Sequence, residues 1–176
     1  MSALVAVLAG GRGRRMGQRK AIASYGGAAL IERPLAAGAA AGLEAVVVAK
    51  RTTALPALDV PVWHEPDEPF HPLVGIIAAL ERSGGPVIAV GCDMPFVTAE
   101  LLARRAAGPE AAVLVGGRLA PFPARYDPTH LTALRFPLAR EAPLRATLTA
   151  LGPAVIEVAD ARLVASVNTP EDLASA

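Results

Sequence analysis

Short continuous apolar runs recur along the chain at residues 4–8, 45–49, 60–63, 87–91 and 111–115, and stretches with apolar residues at helical spacing separate the first four. Runs of this kind, uninterrupted rather than alternating, belong to strands covered on both faces. Their alternation with helices predicts a three-layer α/β/α domain on a mostly parallel, Rossmann-like sheet. The first helix is predicted over residues 28–41, after Gly26-Gly27, with Leu30, Ile31, Leu35 and Ala39 on its apolar face and a conflicting Pro34 inside it. Further helices are predicted at 73–82, at 98–105 behind a Thr98 cap, at 128–136 and at 144–151, with late strands at 156–158 and 163–167. Residues 111–126 read as a hairpin-like pair about Gly116-Gly117. In open α/β sheets ligands gather beyond the carboxyl ends of the strands. Three segments meet there: the loop after Leu8, the residues after Trp63 and those after Gly91.

Composition narrows the setting. A chain of 176 residues is expected to form one domain with a single core. Its lone Cys92 excludes an internal disulfide, nothing resembles a zinc pattern, and no basic n-region or run of membrane-spanning length is visible. The expectation is a soluble cytoplasmic protein without a membrane partner. Charge is uneven: Arg12, Arg14, Arg15, Arg19 and Lys20 lie within eleven positions, no acid precedes Glu32, and the net charge is only +1. A pocket-sized cluster of bases on a mildly acidic body, in a chain with few aromatics, suits a small anionic ligand and argues against nucleic acid.

The cluster sits in the sequence LAGGRGRRMGQRK, residues 8–20, where Gly10, Gly11, Gly13 and Gly17 follow the first predicted strand. Glycines let a backbone turn and present successive N–H groups to an oxyanion, which points to phosphate. A Walker loop is excluded, since no GK pair with a following hydroxyl is present. The dinucleotide fingerprint also fails, because its third glycine arrives one residue late, at Gly17. Lys20 stands out as one of two lysines, with Lys50, against fifteen arginines. At the end of the fourth run, VIAVGCDMP places Asp93 at the same sheet edge, with Pro95 stopping the strand. A carboxylate opposite a polycationic loop suits Mg²⁺, which typically takes one or two carboxylates together with substrate phosphates. Cys92 reads as a small apolar residue in the core.

LAGGxxxRMGxxK and CDMP resemble the signature motifs of the molybdenum cofactor guanylyltransferases (MobA-like proteins), nucleotidyltransferases of the nucleotide-diphospho-sugar transferase fold. The resemblance implies GTP as donor, the phosphate of molybdopterin as acceptor, Mg²⁺ as cofactor, and transient contact with proteins that deliver the cofactor or chaperone molybdoenzymes. It divides the single domain into a nucleotide-binding part, about 1–107, and an acceptor-side part, about 108–176. Leu8, Ala9, Gly10 and Gly11 would approach the nucleotide with their backbone, Arg15 and Lys20 would neutralise phosphate, and Asp93 would hold the metal. The stretch HEPDEPFHPLVG resembles the family's D…GPLAG segment, with His64 or Glu65 near the usual aspartate, Gly75 matching, and His71 in place of a glycine. His71 is open to two readings, an exposed loop residue or a substrate ligand. Arg118 and Arg125, in a segment similar to GRxxPLxALY, and Asn168, in NTPEDL, would face the acceptor, with a solvent-facing place as the alternative for the two arginines. Thr169 to Asp172 also read as a helix cap with Pro170 at the first helical position. His71 and Ala49-Lys50, where the family often has asparagine, leave open a related transferase using CTP or another NTP. A non-catalytic nucleotide-binding module is the alternative from a different class.

Overall fold

Alternate residues of a strand point to opposite faces of its sheet, and in the computed structural model each face has its own covering of helices. The structure describes residues 2–11, 17–108, 111–169 and 172. In chain order the elements are β1 (Leu4–Leu8), β2 (Ser24–Tyr25), β3 (Ala28–Ala29), α1 (Glu32–Ala40), β4 (Ala45–Ala49), β5 (Val62–His64), α2 (Pro72–Ser83), β6 (Val87–Gly91), α3 (Ala99–Ala107), β7 (Ala112–Val115), β8 (Arg118–Ala120), β9 (Ala124–Tyr126), α4 (Leu131–Ala139), α5 (Leu144–Ala150) and β10 (Val155–Glu157). The main sheet has the order β5-β4-β1-β6-β9, parallel except for β9, which runs against β6. A smaller sheet, β10-β7-β8, stands beside it.

On one face Val5, Val7, Val47, Ile88 and Val90 pack with Leu101 and Leu102 of α3 and the partly buried Leu35 of α1. On the other, Ala6, Val46, Val48, Val87 and Ala89 meet Leu73, Ile76 and Leu80 of α2, Leu134 of α4 and Leu148 of α5. The predicted three-layer α/β/α arrangement is therefore present. Among the described residues no helix is long and apolar enough to cross a membrane.

Departures from the sequence expectations have local causes. Helix α1 starts at Glu32 rather than near residue 28, because Gly26 and Gly27, with φ of 58° and 83°, turn the β2–β3 hairpin first. Pro34 thereby falls in the opening turn of α1, where a backbone N–H has no intrahelical acceptor in any case, and the apparent conflict disappears. Residues 163–167 do not form a strand. Asp160 accepts from the Arg162 N–H at 2.9 Å and starts a short 3₁₀ turn, Ala161–Val164, whose Leu163 and Val164 pack against the α1/α3 face. Helix α3 is capped as predicted, the Thr98 hydroxyl accepting from the Leu101 N–H at 3.3 Å.

Candidate active site

Strands β1 and β6 are neighbours, with Leu8 opposite Gly91 at their carboxyl ends. The crossover from β1 through α1 leads to β4 on one side, while β6 lies on the other. This is a topological switch point, where a crevice opens between diverging loops. The Cys92 N–H donates to the Leu8 carbonyl at 3.0 Å and the Ala9 N–H to the Val48 carbonyl at 2.8 Å. These groups of Leu8 and Ala9 are committed to the sheet, so of the four residues expected to meet a nucleotide by backbone, Gly10 is the first to leave the ladder and Gly11 is exposed. Arg12, Arg14 and Arg15, the last expected to be catalytic, lie outside the described residues.

Lys20, on a 3₁₀ helix spanning Gly17–Ile22, reaches across the crevice. Its Nζ lies 2.5 Å from Asp93 Oδ2 and 2.7 Å from Asn168 Oδ1. Both members of the ion pair are only 18% exposed, so solvent screens it weakly. Gly91 accounts for the tightness here: a Cβ on it would overlap the Asp93 carboxylate. Asn168 is brought in by its own segment, where the Val167 N–H donates to the Asp93 carbonyl at 2.8 Å. The Asp172 carboxylate accepts from the N–H groups of Asn168 and Thr169 at 2.7 and 2.9 Å, and these bonds hold its pKa below the ordinary value. Three predicted residues from distant parts of the chain, Lys20, Asp93 and Asn168, thus form one cluster.

Among the described residues no group of three or more His, Cys, Asp or Glu is disposed to hold a metal. Asp93 and Asn168 nonetheless already share one cation, the Lys20 ammonium, through hard oxygen atoms. That donor set fits Mg²⁺, which leaves most of its coordination to water and substrate phosphate.

A second cluster lies toward β4 and β5. Glu65, 8% exposed, pairs with Lys50, 3% exposed, at 3.2 Å. A side chain at Gly10 or at Gly75 would overlap the Glu65 carboxylate, so Glu65 packs against both glycines. Burial raises the Glu65 pKa and Lys50 opposes that rise. Removing either partner would strand a buried charge, at a cost of about 3–5 kcal/mol.

Other expectations are corrected. Arg125 lies opposite Ile88, near the amino end of β6 and away from the crevice. Its Nη1 donates to the carbonyls of Ala106 and Gly108 at 3.2 and 3.0 Å, closing the C-terminus of α3, and Nη2 pairs with Asp127 at 3.3 Å. Its charge answers the orphan carbonyls of a helix end, not an acceptor. Arg118 is exposed at the start of β8. His71 is half-buried rather than exposed. Its Nδ1 accepts from the Leu73 N–H at 3.2 Å, capping α2, and its Nε2 donates to the Ala142 carbonyl at 3.0 Å. Cys92 is buried, and burial pushes its thiol pKa up to about 12, which makes it inert packing as expected. An open, mainly apolar groove of about 820 Å³ runs between Pro72, Pro121, Phe122, Pro143 and Leu144. Sequence reasoning did not single out the buried pair of Lys50 and Glu65. The signal that singles out Lys20, a lysine in an arginine-rich chain, applies to Lys50 equally.

Residues 5–155 match the MobA-like NTP transferase domain family. The molybdenum cofactor guanylyltransferase of Rhodobacter capsulatus is 33% identical over 189 residues, covering 97% of this chain and 92% of its own. Among solved structures, molybdopterin-guanine dinucleotide biosynthesis protein A from Archaeoglobus fulgidus superposes with a TM-score of 0.70 at 25% identity, covering 98% of this chain and 95% of that one. The 2-C-methyl-D-erythritol 4-phosphate cytidylyltransferase of Thermus thermophilus has the same fold, with a TM-score of 0.70 at 20% identity, covering 99% of this chain and 96% of that one.

Proposed function

The chain belongs to the MobA-like NTP transferase domain family, and on that premise we propose that it is a molybdenum cofactor guanylyltransferase. In this reaction a phosphate oxygen of molybdopterin attacks the α-phosphorus of GTP, the bond to the bridging oxygen breaks, and pyrophosphate leaves. The product is molybdopterin guanine dinucleotide. The observation that carries the reading is the cluster of Lys20, Asp93 and Asn168 at the switch point. Negative charge shifts across phosphoryl oxygens during the transfer, so pre-set cations and N–H donors do the work and no protein nucleophile is needed. Lys20, once a triphosphate draws it from Asp93, donates to phosphate oxygens. Asp93, with Asn168 beside it, is the residue we assign to Mg²⁺, which when bound supplies positive charge to the reacting phosphates. Asn168 and the exposed Arg118 are assigned to the acceptor, and the groove beside α5 offers it apolar surface.

Pyrophosphate release tests this directly. The protein is mixed with molybdopterin and each of GTP, CTP, ATP and UTP, with Mg²⁺ or with chelator. Magnesium-dependent release with GTP is expected, and Asp93→Ala should lower it by about a hundredfold or more without changing the folded far-UV spectrum. Release with CTP alone would move the assignment to a cytidylyltransferase. No release with any nucleotide would reject the enzyme, and an Asp93→Ala rate within about threefold of wild type would reject the metal assignment.

A further inference from the structure

The chain's second lysine is buried at the carboxyl end of β4, and its ammonium has three partners. They are Glu65 Oε1 at 3.2 Å, the Pro66 carbonyl at 2.6 Å, and the face of the Phe70 ring, 4.7 Å from its centroid. All three lie in the segment that joins β5 to α2. The main chain there is aligned independently, since the Glu65 N–H donates to the Ala49 carbonyl at 3.0 Å. What Lys50 adds is therefore control of a side chain. The Glu65 carboxylate fills the space that side chains at Gly10 and Gly75 would occupy, so one carboxylate touches both the first residue of the phosphate loop outside the sheet and the opening turns of α2. Those two elements flank the crevice next to Lys20 and Asp93.

We propose that Lys50 is a positioning residue for the nucleotide: acting through Glu65, it sets the spacing between Gly10 of the phosphate loop and Gly75 of α2. The proposal rests on the nucleotide binding at this edge, as assigned above. Physically, the lysine does what a neutral side chain would not. A buried carboxylate tends to take up a proton, and Glu65 is pushed that way by burial. Protonated, it becomes a donor that seeks a carbonyl and leaves its place against the two glycines. Lys50 is the charged group that faces it. Gly10, just past β1, lies against Glu65 on one side, and α2 presents Gly75, which Leu8 of β1 and Val48 of β4 back. His71 at the start of α2 is directed at Ala142, and the chain neighbours His64, Asp67 and Glu68 are exposed.

The test is GTP binding by calorimetry without acceptor, as a function of pH, with thermal stability measured in parallel. Lys50→Met should weaken GTP binding about tenfold at neutral pH while kcat at saturating GTP changes less than about threefold. Its affinity should also be lost at a higher pH than in wild type as the solution is acidified, because Glu65 without its counter-charge protonates sooner. Lys50→Arg should restore most of the affinity. Glu65→Gln should bind as weakly and lose this pH dependence, and the double variant should bind no more weakly than Glu65→Gln, since the lysine acts through the carboxylate. Lys50→Met with a lowered Tm but the wild-type Kd and pH profile would overturn the proposal, leaving a purely structural ion pair. Should Lys50→Met fail to fold, Gly75→Ala supplies the same displacement with both charges kept, and unchanged GTP affinity in that variant would overturn the proposal equally. Wild-type protein that binds no nucleotide overturns both this inference and the functional reading, whereas wild-type binding matched by Lys50→Met overturns this one alone.

Discussion

Lys20 sits where a divalent cation would be expected to sit, on a carboxylate oxygen and an amide oxygen at once. With Mg²⁺ assigned to Asp93 as proposed, Lys20 would compete with the metal for that carboxylate before ligands arrive, and a triphosphate that attracts the ammonium would relieve the competition. Lys20→Gln should accordingly weaken GTP binding by about tenfold yet strengthen binding of Mn²⁺ alone, read by electron paramagnetic resonance of the free ion. Equal Mn²⁺ affinity in the two proteins would refute that competition. Much of this cluster was legible in the sequence. Asp93 follows an apolar strand and precedes a proline, and Lys20 is a rare lysine among glycines, so both carry local signals; Asn168 was reached only through a motif. Arg125 was misread because a guanidinium looks the same in sequence whether it meets a ligand or a helix end. Only the antiparallel register of β9, opposite Ile88, decides between them. Lys50 escaped because a lysine at a strand end ordinarily reaches water, and its burial depends on a ring and two acceptors from a later segment.

Among elements, α2 is the one on which the Glu65 cluster rests. It carries Gly75 against Glu65, and its first turn is fixed by Pro72 and by the His71 ring, which also ties it to the residue preceding Pro143 and α5. His71→Ala should cost about 1 kcal/mol from the lost cap, somewhat more with the lost tether, measured by urea unfolding. An unchanged midpoint would mean that the cap is idle. Elements with strong termini were legible in the sequence to within a residue or two: α2 has its proline and a left-handed Gly84, and α3 has Thr98 and Gly108. The two-residue strands β2 and β3 and the 3₁₀ turns were not. They are too short to impose a hydrophobic period, and local hydrogen bonds such as that of Asp160 shape them.

At the scale of the molecule, the two faces of the main sheet are filled by different helices but share the same strands. Leu80→Ala under α2 and Leu102→Ala under α3 should each cost about 2–5 kcal/mol and shift one common unfolding transition, followed by circular dichroism and fluorescence together. Separated transitions would show that the faces melt independently. The parallel core of this sheet was plain in its apolar runs. Its β9 edge was less so, since that strand has three residues and owes its place to pairing with β6. The cluster of Lys20, Asp93 and Asn168 spans 148 positions of the chain. Contacts of such sequence separation carry the largest loop-closure cost and are rewarded only when the intervening structure is in place. A nascent or refolding chain can thus build its sheet while still unable to grip its substrate. With the cluster as the proposed site, competence would require that long-range contact, so activity would itself report that the early and late residues of the polypeptide have met.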